Sequence, residues 1–99
     1  MADLDERKTV VRREATVVNK QGWHARPAAM VVRCANGFKS EVMLSINGLV
    51  ANAKSMMDVI MLASPLGSVV QIDVTGPDAE ACAEALEALI RSGFGEELA

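Results

Sequence analysis

From Ser40 to Ile46 the chain alternates without a break: Val42, Leu44 and Ile46 face one way, Glu41, Met43 and Ser45 the other. A period of two is the signature of a half-buried strand, because successive side chains leave opposite faces of the pleat. Asn47-Gly48 follows at once and suits a type I′ hairpin turn, which needs positive φ at both positions. A short strand is therefore expected at 49–53. A second clean alternation runs over 69–75, with Val70, Ile72 and Val74 inward and Gln71 and Asp73 outward. A strand over 9–18 is less regular: Val11, Ala15 and Val17 share one parity, which Arg13 interrupts. Strands with one wet face build an antiparallel sheet whose other face is covered by helices.

Helical spacing fills the gaps between these strands. From Ala25, with Pro27 in the first turn, Ala28, Val31, Val32 and Ala35 fall on one face, and Asn36-Gly37 ends the run through a left-handed residue. Ser55 opens a brief helix through Leu62, with Asp58 three residues on in a capping-box-like arrangement. Gly76-Pro77-Asp78 starts the last helix, where Ala79, Cys82, Leu86, Leu89 and Ile90 oppose Glu80, Glu84, Glu87 and Arg91 until Gly93 stops it. The order is β-α-β-β-α-β-α, an α+β class.

Ninety-nine residues with no internal repeat make one domain over 9–95, after a loose polar extension at 1–8. With only Trp23, Phe38 and Phe94 aromatic, the core is built from Val, Ile, Leu, Met and Ala. The net charge of −3 excludes a generic nucleic-acid binder. Arg7, Lys8, Arg12 and Arg13 read as a solvated edge protecting the first strand. No apolar run reaches bilayer length, and the opening Met1-Ala2-Asp3-Leu4-Asp5-Glu6 lacks the regions of a signal peptide, so a soluble, cytoplasmic protein is expected. Cys34 and Cys82 lack metal-ligand spacing and sit among small apolar residues, so both read as buried free thiols, with no metal site and no cofactor.

The only histidine lies in Gly22-Trp23-His24-Ala25-Arg26-Pro27-Ala28, where a loop becomes a helix. Free N–H groups of a first helical turn attract an anion. Pro27 has no N–H, so the donors for a phosphate are mainly those of Ala25 and Arg26. The positive end of the helix disfavours imidazolium, which keeps one ring nitrogen nucleophilic. Arg26 is close enough to reach the same anion with a charge-assisted fork. Together these features suit phosphoryl transfer to nitrogen. A conventional hydrolase fits badly, since no Asp or Glu stands in a motif that would orient His24.

This stretch resembles the active-site signature of HPr, the histidine-containing phosphocarrier of the bacterial phosphotransferase system, and the similarity runs from about residue 9 to 95. The resemblance implies an open-faced sandwich: a four-stranded antiparallel sheet in the order 1-4-2-3 with three helices on one side. It implies that His24 accepts a phosphoryl group on Nδ1 from enzyme I and donates it to IIA proteins or domains, with Arg26 as electrostatic partner. The chain would be a monomeric carrier, not an enzyme with turnover of its own.

Ala53-Lys54-Ser55-Met56-Met57-Asp58-Val59-Ile60-Met61-Leu62 resembles the family's second signature, above all in Gram-positive-type members. There the serine is phosphorylated by HPr kinase/phosphorylase, which implies regulation at Ser55 alongside its role as a cap. Val59 and Leu62 can fill the core, leaving Met56, Met57 and Ile60 exposed. Ala29 and Met30, flanked by Arg33, are a similar surplus on the first helix, and flexible Met side chains suit a surface with several partners. The family places its docking face there.

Trp23 stands where the family usually has an aliphatic residue, and either shields the imidazole or contacts partners. Asp58 and Ala63 occupy positions where members often have Gly, and Ser64-Pro65 is unusual. A regulatory module acting through phosphorylated Ser55, or a member of the nitrogen-related phosphotransferase branch, would share this architecture.

Overall fold

The computed structural model describes residues 10–99. The expected extension at 1–8, with Arg7 and Lys8, lies outside them. Strands β1 (Val11–Thr16), β2 (Glu41–Ile46), β3 (Leu49–Asn52) and β4 (Val69–Thr75) form one antiparallel sheet in the order β1-β4-β2-β3. Helices α1 (Ala25–Asn36), α2 (Met56–Ile60) and α3 (Ala79–Arg91) pack on one side of it.

The alternation does what its period requires. Val42, Leu44 and Ile46 on β2 and Val70, Ile72 and Val74 on β4 are buried against the helices, while their neighbours face outward. Asn47 and Gly48 take φ of 52° and 84°, the left-handed pair that closes a type I′ turn. Arg13 interrupts the inward face of β1 for a reason: it pairs with Glu80 and Glu87 of α3. Arg12 pairs with Asp73 across the sheet, so these two arginines of the basic edge have partners.

Several expected boundaries move. The first strand ends at Thr16 because the pairing slips beyond it: Val17 N–H donates to Ser68, but the Val17 carbonyl accepts from Gly67, and the Val18 carbonyl accepts from Ala99. The second helix ends at Ile60, since Met61 and Leu62 donate to Asp58 and Val59, three residues back, in a tightened last turn. The first helix ends at Gly37 without a left-handed residue. Gly37 has φ −78° and donates to Cys34, so a three-residue turn does what the expected reversal would have done. On α3, Ala83 is buried where Leu89 was expected, and Leu89 is half-buried beside Met30, Arg33 and Cys34.

Cys34 corrects another expectation, being half-buried rather than buried. Burial raises both thiols above their ordinary value, Cys82 to about 11, so neither is a ready nucleophile. Asp78 precedes α3 without capping it. Its carboxylate accepts from the Ser40 hydroxyl and from the N–H groups of Lys39 and Ser40, tying β2 to the start of α3. Among the described residues no helix is long and apolar enough to cross a membrane.

Candidate functional site

His24 caps α1 in extended conformation, and its carbonyl accepts the first helical bond, from Ala28. The loop before it is locked by close approach. Gly22 has φ +75°, and a Cβ there would lie 2.5 Å from the Ser64 carbonyl oxygen, so only glycine fits. Trp23 exchanges two backbone hydrogen bonds with Ser64. The unusual Ser64-Pro65 segment is thus the wall against which the histidine loop is built.

Trp23 does not offer itself to partners. Its side chain is 2% exposed, its Nε1 donates to the Val59 carbonyl of α2, and its ring meets Phe94 edge-on at 5.8 Å. In a core otherwise built of aliphatic side chains, alanine and Cys82, this pair fills the space between α2 and the C-terminal tail.

The tail brings in what the sequence left out. Gly93, Phe94 and Gly95 all have positive φ, and this tight turn carries the chain back to pair antiparallel with residues 18–20. Glu96 thereby reaches His24, 72 positions away in sequence. Its Oε1 lies 3.1 Å from His24 Nε2 and accepts from Asn19 Nδ2 at 2.9 Å, and its Oε2 accepts from Arg26 Nη1 at 2.9 Å. Arg26 Nη1 also donates to the Phe94 carbonyl. No motif around His24 supplies an acidic residue; Glu96 faces the ring from the far end of the chain.

Electrostatics follow from these contacts. Burial pushes the Glu96 carboxyl up, but hydrogen bonds from His24, Asn19 and Arg26 outweigh it and hold the group below its ordinary value. A carboxylate only accepts, so the ring nitrogen facing it carries the proton. Among the described residues His24 Nδ1, the N–H groups of Ala25 and Arg26, and Arg26 Nη2 and Nε have no partner. A ring nitrogen without a protein partner and a set of unused donors thus stand at one helix N-terminus.

The family described as the PTS HPr component phosphorylation site matches residues 11–92. The chain belongs to the HPr family. The phosphocarrier protein HPr of Cupriavidus necator is 44% identical over 87 residues, 88% of this chain and 98% of that one. The HPr of Treponema pallidum is 41% identical over 88 residues, 89% of this chain and 100% of its own. The crystal structure of HPr from Thermoanaerobacter tengcongensis matches with a TM-score of 0.82 and 40% identity, over 89% of this chain and 99% of that one. The function that comes with HPr membership is that of a phosphocarrier in the phosphotransferase system.

In this HPr fold the second signature lies on α2. Ser55 is its N-cap, the hydroxyl accepting from Asp58 N–H at 3.4 Å. The expected capping box is only half formed, because the Asp58 carboxylate accepts from Asn52 instead. Val59 and Leu62 fill the core, and Met56, Met57 and Ile60 are exposed. Met61, which sequence reasoning passed over, is 72% exposed beside them. α2 packs against α1, where Ala29 and Met30 are half-buried and Arg33 is exposed.

Proposed function

We propose that His24 Nδ1 is the atom that carries the phosphoryl group, received from phosphorylated enzyme I and passed to IIA proteins or domains. The supporting observation is the contact between His24 Nε2 and the Glu96 carboxylate, 3.1 Å long, which keeps the proton on Nε2 and leaves the Nδ1 lone pair for phosphorus. In the step itself, Nδ1 attacks the phosphorus of the donor phosphohistidine. The new N–P bond forms as the old one breaks, and its electron pair returns to the donor nitrogen. Nε2 keeps its proton, and the positive charge the ring acquires is met by Glu96. The N–H groups of Ala25 and Arg26, with the unused guanidinium donors of Arg26, offer hydrogen bonds to the equatorial oxygens, and such positioning is most of what phosphoryl transfer asks of a protein.

The protein acts as a carrier and not as an enzyme, being returned to its starting state only by the acceptor. Ala29, Met30 and Arg33 of α1 and Met56, Met57 and Ile60 of α2 form the face on which partners dock. Ser55 lies at the start of the same helix as the methionines. A phosphate there would add about −1.5 to −2 charges and weaken docking without refolding the helix.

Incubation with phosphoenolpyruvate and a generic enzyme I, followed by intact mass and acid lability, tests the assignment. One acid-labile phosphate that is absent in His24→Ala is expected. Failure of folded protein to be labelled by several enzyme I homologues would overturn it.

A further inference from the structure

Asn19 belongs to a loop by sequence, yet its side chain is completely buried. Its amide nitrogen has two hydrogens and spends both, on the Gly22 carbonyl at 2.7 Å and on Glu96 Oε1 at 2.9 Å. The reverse orientation would aim Oδ1 at a carbonyl and a carboxylate, so the neighbours dictate which way the amide points. Among the described residues Oδ1 has no partner. A buried acceptor left unpaired is costly, and the position bears that cost while both donors are used.

We infer that Asn19 is a positioning residue for phosphoryl transfer, acting through Glu96 to hold the imidazole of His24 in the tautomer that exposes Nδ1. The inference rests on the reading of His24 as the carrier. Glu96 has three hydrogen-bonding partners, and two of them, His24 and the half-exposed Arg26, belong to the groups that engage the phosphoryl group. Asn19 alone is fully buried and takes no part in the chemistry, so it is the fixed post against which the carboxylate is set. The same amide holds Gly22, two residues before His24, and so sets the loop and the carboxylate relative to each other. The backbone here is secured independently. Gly22 donates to the Asn19 carbonyl, Lys20 to Glu97 and Ala99 to Val18, so the pairing of loop with tail does not depend on the side chain. Aspartate could not replace it, since a carboxylate has no hydrogen to give.

The test combines Asn19→Ala, Glu96→Gln and the double variant, read by the rate of phosphoryl acceptance and by 15N spectra of the His24 ring. Asn19→Ala is expected to slow acceptance roughly tenfold, the scale of losing a partner that orients a reacting imidazole, and to populate the Nδ1–H tautomer. In the Glu96→Gln background it should change the rate by less than about twofold. An equal slowing in both backgrounds, with the tautomer unmoved, would make Asn19 a packing residue and overturn the inference. If Asn19→Ala fails to fold, Asn19→Ser keeps one donor, and its ring spectrum carries the same decision. The ring spectrum needs no phosphate, so it decides on Asn19 even if His24 is not the carrier.

Discussion

The histidine site and the Ser55 cap share the helix layer but are assembled in opposite ways. The cap closes within residues 52–58, its hydroxyl and carboxylate bonding to N–H groups a few positions away. The histidine site takes its parts from a loop, a helix start and a tail, and its central contact spans 72 positions. A local site persists as long as its own turn does. A site gathered from afar is only as good as the packing that gathers it, so at His24 stability and function are coupled, whereas at Ser55 they are separable.

The largest effect should come from the packing that holds the tail. Phe94→Ala removes a fully buried ring and is expected to cost about 3–5 kcal/mol in denaturant unfolding. It should also depress phosphoryl acceptance in protein that is still folded, because Glu96 follows two residues later. Unchanged acceptance would break the proposed coupling. Glu96→Gln removes the charge while keeping the shape, and acceptance measured by rapid quench should fall roughly tenfold. Ser55→Ala is the counterpart at the local site. It should cost ~1 kcal/mol, the worth of an N-cap, and leave the rate at His24 where it was. A tenfold slowing in that variant would erase the contrast.

Asp78, at the start of α3, supplies a control outside the His24 site. Hydrogen bonds from the Ser40 hydroxyl, and then from the Lys39 N–H, lower its carboxyl to about 2. A depressed carboxyl stabilises the fold above its unfolded value, roughly 4, and that contribution is lost as the pH falls toward about 2. Unfolding curves across this window should decline less steeply for Asp78→Asn, with transfer at neutral pH unaffected.

Local patterns carried most of the fold. Period-two alternation over Val42–Ile46 and Val70–Val74, and the Asn47-Gly48 turn, are rules between near neighbours, and they found their strands and hairpin. Ser55 as a cap was legible for the same reason. His24 and Arg26 could be singled out because they share one helix start. Glu96 and Asn19 were not legible, since nothing in Gly95-Glu96 or Asn19-Lys20 states what lies opposite. The only hint was Gly93-Phe94-Gly95, an apolar residue between glycines after a helix, which signals a reversal but not its destination. The partner contact that Trp23's place beside His24 suggested is not available, because the side chain packs into the core against Val59 and Phe94.

That buried indole has a practical consequence. The chain has one tryptophan and no tyrosine, so its near-ultraviolet emission comes from Trp23 almost alone. The ring is hydrogen-bonded to the helix of exposed methionines on one side and rests against the tail that carries Glu96 on the other. Loosening of either neighbour should alter its brightness or colour, giving the unlabelled protein an optical gauge between its two sites.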